Sequence, residues 1–153
     1  MDYLTLKTIH VISSTILFGT GIGSAFYMFM ANRRRQIAEM AFAVKFVVIA
    51  DYIFTTPSVI VQLITGLWMM NINGLDFTQR WLWWGLFLYF FAGICWLPVV
   101  FIQIQMEKLL QKATREGVLS EKYWKLDFWW ILLGSLAFPA IIVVFWLMVN
   151  KPA

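Results

Sequence analysis

Four long apolar stretches constrain the fold of this chain more than any other feature. They run from about residue 4 to 30, 41 to 70, 81 to 105 and 128 to 149. A transmembrane helix needs about 20 mostly apolar residues, and none of the stretches shows the period-two alternation of a barrel strand. The pattern therefore predicts an all-α bundle of four transmembrane helices, with residues 1–153 forming a single integral membrane domain.

The composition agrees with a lipid environment. Hydrophobic residues make up 61% of the chain and charged residues 13%, whereas a soluble domain has about 25% charged residues. This argues against a soluble enzyme, a disordered segment and a nucleic-acid binder. The single cysteine, Cys95, has no partner for an internal disulfide. The expected surroundings are the lipid bilayer, with no nucleic acid partner.

Basic residues collect in two of the three connections. One group flanks the first connection and another flanks the third: Arg33, Arg34, Arg35 and Lys45, then Lys108, Lys112, Arg115, Lys122 and Lys125. The opposite side has only Lys7, Arg80 and Lys151. Because cytoplasmic loops carry an excess of Lys and Arg, both termini are predicted to lie outside, on the periplasmic side.

The third connection also shows helical charge spacing. Residues 107–116 mix both signs at steps of three and four, which predicts that the third helix continues as a solvated stalk to near Gly117. Ser120 is a candidate first residue of the last helix, since its hydroxyl is suited to an N-cap.

A stripe of polar residues crosses the second stretch. It recurs at steps of four and three, and its members are Asp51, Thr55, Ser58, Gln62 and Thr65. Polar groups facing lipid are costly, so the stripe is expected to face the bundle interior, either as a packing seam or as the lining of a cavity. Pro57 leaves a carbonyl near Ile53 without its helical donor. Asp51 is the candidate catalytic residue, because a buried carboxylate is either protonated or paired.

The first stretch carries the only histidine, His10, and a glycine run. Lys7, Ser14, Leu17 and Gly21 share the face of His10. Gly19, Gly21 and Gly23 indicate either close helix packing or room for a flat ligand. The rise per residue of a helix places His10 at the same depth as residues Gln62 to Thr65. It places Asp51 about 13 Å from the predicted cytoplasmic end of its own helix. Two separate polar levels are therefore predicted.

Three runs carry a family resemblance. They are Asp51-Tyr-Ile-Phe-Thr-Thr-Pro-Ser-Val-Ile-Val-Gln-Leu-Ile-Thr-Gly66, Trp96-Leu-Pro-Val-Val-Phe-Ile-Gln-Ile-Gln-Met106 and Phe145-Trp-Leu-Met-Val-Asn-Lys-Pro152. On these runs the chain resembles a family of bacterial predicted integral membrane proteins, domain of unknown function 2269. The resemblance implies a multi-pass protein of the bacterial inner membrane.

A second resemblance implies a cofactor. The run Leu6-Lys7-Thr8-Ile9-His10, followed by glycines and then arginines, is similar to the HemJ-type protoporphyrinogen oxidases and the copper-resistance D proteins. This likeness implies that His10 binds haem b. The HemJ-type family has an essential lysine where Trp81-Leu-Trp-Trp-Gly-Leu86 places Gly85. That departure argues against the oxidase activity and leaves haem binding open.

The leading hypothesis is therefore a haem-binding membrane oxidoreductase. His10 is its axial ligand, with the sixth position empty, filled by Met69 or filled by His10 of a second copy in a homodimer. The other candidate cofactor-binding residues are Gly19, Gly21, Gly23, Gln62, Thr65, Arg33 and Arg34. The electron partner would be a quinone or a membrane redox protein.

Two alternatives stay open. Met1, His10, Met69 and Met70 offer soft or imidazole ligands for copper handling or transport. A small structural or accessory subunit without a cofactor is the other alternative, in which the polar stripe only fixes helix packing.

Overall fold

In a computed structural model, which describes residues 2–152, the chain forms four long helical rods. The first rod is α1, Tyr3–Arg34. The second consists of α2 (Ile37–Ala50), a π-helical turn (Asp51–Thr55) and α3 (Thr56–Ile72) in unbroken succession. The third is α4, Arg80–Glu116, and the fourth is α5, Glu121–Asn150. Residues 2–152 contain no strand, so the all-α prediction is confirmed.

Each rod covers a predicted apolar stretch and extends past it into polar sequence. The extension is longest in α4, which continues to Glu116 before Gly117 takes a left-handed φ of 75°. Ser120 then caps α5, its hydroxyl accepting a hydrogen bond from the Lys122 amide at 3.3 Å. The predicted stalk and helix start are both confirmed.

The outer surface of the rods is apolar. Within residues 2–152, α1, α4 and α5 are each long and apolar enough to cross a membrane. Only 6% of the most apolar part of α1 is buried inside the protein. Side chains such as Leu4, Tyr52 and Ile94 are at least 69% exposed. A bilayer is the environment that covers such a surface without a penalty.

The π-helical turn accommodates Pro57. The Thr56 amide donates to the Asp51 carbonyl, five residues back, and the Thr56 hydroxyl donates to the same oxygen at 2.9 Å. Proline has no N–H and clashes with the carbonyl four residues before it. Widening the preceding turn by one residue relieves that clash, so the second rod passes the proline without ending.

The packed core lies mainly at one end of the bundle. We call the end with the connections at residues 35–36 and 117–120 the basic end, and the end with residues 73–79 the far end. Near the basic end one cluster joins all four rods: Met28, Met40, Val44, Val47, Val99, Met106, Leu110, Tyr123 and Trp130. The far end has only a small cluster of Trp81, Leu82 and Leu147. Helix α1 packs on the second rod, and α4 packs on α5 and α2.

The glycine run of α1 does not make close helix contacts. Gly19 and Gly23 are exposed, and a Cβ added to Gly19, Gly21 or Gly23 would meet no neighbouring atom within 4 Å. The sequence left two alternatives for this run, close helix packing or room for a flat ligand. The structure does not show close packing. Tight approach occurs instead at Gly85, where a Cβ would lie 2.7 Å from Met148 Cε.

Candidate functional site: polar clusters inside the bundle

The polar stripe of the second rod faces inward. Asp51, Thr55, Ser58 and Thr65 are each at most 6% exposed, and Gln62 is half-buried. This confirms the prediction that the stripe avoids lipid. All of its members except Ser58 take part in two separate clusters, one in the far half of the bundle and one near its middle.

The first of these, the histidine cluster, consists of His10, Ser13, Gln62 and Thr65 and joins α1 to α3. His10 Nδ1 lies 2.8 Å from Thr65 Oγ1. Gln62 Nε2 donates to Ser13 Oγ at 2.6 Å and also to the His10 carbonyl. Ser13 Oγ donates to that same carbonyl at 3.1 Å. The predicted level match between His10 and residues 62–65 is confirmed by these bonds.

The hydrogen bonds fix the tautomer of His10. The Thr65 hydroxyl has one proton. It donates this proton to the Val61 carbonyl oxygen, which lies 2.6 Å from Thr65 Oγ1. Thr65 Oγ1 therefore accepts from His10, so Nδ1 carries the ring proton of the neutral imidazole. The lone pair is then on Nε2. An imidazole whose Nδ1–H is bonded to a neighbouring oxygen is the usual form of a histidine that binds metal through Nε2.

Gly66 of α3 lies against the imidazole. A Cβ at this position would come to 3.4 Å from His10 Cε1. This separation is an ordinary van der Waals contact, so a methyl group at position 66 would still fit beside the ring. Sequence reasoning did not single out this contact, because the ring's orientation is not encoded in any spacing.

The second cluster, the aspartate cluster, consists of Asp51, Thr55, Gln103 and Trp130. Thr55 Oγ1 donates to Asp51 Oδ1 at 2.7 Å. The Gln103 amide nitrogen donates to Asp51 Oδ2 at 2.9 Å, and its oxygen accepts from Trp130 Nε1 at 3.2 Å. The chain of bonds runs from α5 through α4 to the π-helical turn. No basic side chain described here forms an ion pair with Asp51, so its carboxyl group is held by neutral donors.

A third cluster lies at the basic end and was not predicted from the sequence. The Asn32 amide donates to Asp127 Oδ1 at 2.7 Å, and the Tyr123 hydroxyl donates to Asn32 Oδ1 at 2.7 Å. Tyr123 is fully buried and Asn32 is 4% exposed. The available signal was an asparagine at the end of one apolar stretch and an aspartate at the start of another. Such a pair also occurs in ordinary loops.

The remaining predicted site residues lie elsewhere. Arg33 stacks over Phe29, 5.0 Å from the ring centroid, and Arg34 pairs with Glu39 at 3.2 Å. Both arginines are exposed at the basic end. Along the straight α1, Arg33 is about 35 Å and Gly21 about 16 Å from His10. The structure thus unites His10, Gln62 and Thr65, but not the glycines or the arginines, around one point.

Candidate metal ligands are sparse around the histidine. Met69 is half-buried on α3, one turn from Thr65 towards the far end. Met1, a ligand in the copper hypothesis, lies outside the described residues. Across residues 2–152 no group of three His, Cys, Asp or Glu side chains could hold a metal ion together.

Apolar rods joined by buried polar clusters define a multi-pass helical membrane protein. Within that class, the chain belongs to the family described as a predicted integral membrane protein, domain of unknown function 2269, whose model matches residues 4–152. The match covers all four rods and confirms the family predicted from the three runs. No curated protein and no solved structure matches the chain.

Proposed function

We propose that this chain is a haem-b-binding redox protein of the bacterial inner membrane, in which Nε2 of His10 would hold the haem iron. One observation carries the proposal. Thr65 accepts the Nδ1 proton of His10 while giving its own proton to Val61, which leaves Nε2 as the basic atom of the ring. A histidine in a membrane span is a functional candidate by default, and this one is held in the ligating tautomer.

The donor set favours haem over a bare metal ion. A bare transition-metal ion is usually held by several protein side chains, and no group of three suitable residues occurs within residues 2–152. Haem brings four nitrogens of its own and needs a single imidazole from the protein. A second protein ligand would come from Met69 or from His10 of a second copy in a homodimer.

The other residues have separate tasks in this proposal. Gln62 and Ser13 hold α1 against α3 at the level of the imidazole. Gly21 is half-buried and has open space beside it. Arg33 and Arg34, about 35 Å from His10, are too distant to contact a haem bound there. They are therefore not part of the proposed haem site.

Bound haem would supply one-electron chemistry. Its electron partner would be a quinone or a membrane redox protein, because the sequence has no nucleotide-binding fingerprint for a soluble cofactor. Asp51 is a carboxyl group inside the bundle that is held only by neutral donors. It is therefore suited to bind a proton when reduction changes the charge of the haem. It lies about 20 Å along the second rod from Thr65, so a coupling between the two would be electrostatic.

The absorption spectrum of the detergent-purified protein, produced in cells supplied with a haem precursor, tests this proposal. We expect a Soret band that His10→Ala abolishes. Ser13→Ala is the matched control, since it truncates the same cluster and leaves the imidazole in place, and it should keep the band. A colourless wild-type protein, or a band that survives His10→Ala, would refute the assignment. A colourless protein that retains copper would support the copper hypothesis instead.

A structural or accessory subunit is the second candidate. The observation in its favour is that the aspartate cluster and the Asn32 cluster are internally hydrogen-bonded and each join different rods. Such bonds fix helix packing without any ligand. A protein without haem or metal, in which Asp51→Asn changes only stability, would establish this function.

A further inference from the structure

A groove lies between α1 and the second rod, beside the π-helical turn. Its volume is about 310 Å³, and its walls include Ile12, Ile16, Phe54 and Val61. Ile12 and Phe54 are 54% and 49% exposed, so the groove opens towards the acyl chains. Its volume is at the lower end of the range for small-molecule sites, about 300–1,000 Å³. A single ring with an attached chain fits a groove of this size.

Two hydroxyl groups line this apolar groove, and only one of them forms hydrogen bonds within the protein. Ser13 Oγ belongs to the histidine cluster, where it accepts from Gln62 and donates to the His10 carbonyl. Ser58 also lines the groove and is only 6% exposed. Within residues 2–152 no hydrogen bond to its hydroxyl is formed, and the fully enclosed polar atom that lacks a partner there is Trp96 Nε1. The Ser58 oxygen is therefore open to the groove. A hydroxyl without a partner in an apolar environment is unfavourable, so a ligand that accepts its proton would remove that cost.

The depth of Ser58 restricts what that ligand is. It lies about 4 Å from the midpoint of the apolar stretch 41–70. The hydrocarbon layer is about 30 Å thick, so the ester groups of phospholipids, at its boundaries, are more than 10 Å away. The acceptor must therefore belong to a molecule dissolved in the hydrocarbon itself.

We propose that this groove binds a membrane quinone, one of whose carbonyl oxygens accepts a hydrogen bond from Ser58. The flat ring lies between the isoleucines of α1 and Phe54, and its apolar chain leaves through the open side. Ser13 belongs both to the groove and to the histidine cluster, which places the quinone next to the His10 helix turn. The choice of a quinone over another carbonyl compound rests on the proposed redox function, whereas the groove and its unpaired hydroxyl do not.

Photolabelling tests the site directly. The full chain, in nanodiscs of phosphatidylcholine, is exposed to an azido-benzoquinone that carries a decyl chain, and adducts are located by mass spectrometry. We expect adducts within residues 9–16 and 53–61, suppressed by an excess of unlabelled decyl-benzoquinone. Val61→Trp should fill the groove and abolish them. Val143→Trp is the matched control, because it adds the same bulk on the lipid-facing surface of α5.

The hydroxyl is tested separately. Ser58→Ala should lower quinone affinity about fivefold, the value of one neutral hydrogen bond. Ser14→Ala should leave it unchanged, since the Ser14 hydroxyl donates to Val11 within its own helix. Adducts spread evenly over the lipid-facing helices, or unaffected by Val61→Trp, would overturn the proposal by showing that only bilayer lipid occupies the groove. Specific adducts on a protein without a Soret band would support the groove and refute the haem assignment.

Discussion

The chemistry of His10 depends on a residue 55 positions away. Thr65 receives the Nδ1 proton because its own proton is already donated within α3. The result is an imidazole whose free lone pair is on a known atom. Serine at position 65 would preserve this arrangement, and an aliphatic residue would not.

Thr65→Val removes the acceptor of the His10 proton with little change of shape. We expect haem affinity to fall about 10- to 100-fold, as for other hydrogen-bond partners of ligating histidines, and the Soret band to shift. Titration of the purified apoprotein with haemin measures the change. Thr15→Val is the control, because Thr15 is exposed and its hydroxyl also bonds to the carbonyl four residues back. Equal affinities for both variants would contradict the role of Thr65.

Asp51 is predicted to bind the proton that accompanies reduction. Asp51→Asn keeps a side-chain oxygen that accepts the hydrogen bond from Thr55. The Gln103 amide is able to rotate so that its oxygen accepts from the new NH₂ group. We expect this variant to fold and bind haem, with a midpoint potential that depends less on pH than that of the wild-type protein. Asp76→Asn is the control in the 73–79 connection, where hydrogen bonds from Thr78 hold the pKa of Asp76 below its usual range. Unchanged pH dependence in Asp51→Asn would exclude this role.

At the scale of the element, the π-helical turn contains one residue more than a regular α-helical turn. A helix can hold such an extra residue while the faces on both sides stay in place. Here those faces are the buried side of α2, with Met40 and Val44, and the polar side of α3 with Thr65. The turn therefore lets Pro57 lie within the rod without rotating one half relative to the other.

Deleting Tyr52, which is 74% exposed, together with Pro57→Ala should convert the turn into regular helix. We expect the thermal midpoint in detergent to change by only a few degrees, because both faces keep their partners. Deleting Phe46 from α2, also exposed, is the matched control. It rotates the preceding part of α2 by about 100° and turns Met40 and Val44 towards lipid, which should prevent folding. Similar behaviour of the two deletions would disprove the interpretation of the turn.

The sequence predicted those contacts that depend only on how far along its helix each residue lies. Antiparallel rods of known length place His10 beside Gln62 and Thr65, and the structure shows those bonds. The partners of Asp51 could not be found this way. Gln103 and Trp130 reach it only because α4 and α5 have a particular rotation about their axes, which core packing at the basic end determines. The glycine run was ambiguous for the same reason, since its orientation depends on which face of α1 packs.

At the scale of the whole molecule, charge is predicted to set the orientation. The basic end has most of the Lys and Arg residues and is expected in the cytoplasm. In a Cys95→Ala background, Asn73→Cys at the far end should react with an impermeant maleimide in intact cells. Val118→Cys, also at an exposed position, should react only after permeabilisation. The reverse pattern would show that both termini lie in the cytoplasm.

The two ends of the bundle are packed to different degrees. Nine buried side chains join the rods near the basic end, and three form the cluster at the far end. Local opening has a lower free energy where fewer apolar contacts are lost. A hydrophobic molecule could therefore enter from the lipid between the rods at the far end, while the packed half near the basic end stays closed. Such a molecule would reach the histidine without a channel to water, through a brief separation of side chains in the far half of the bundle.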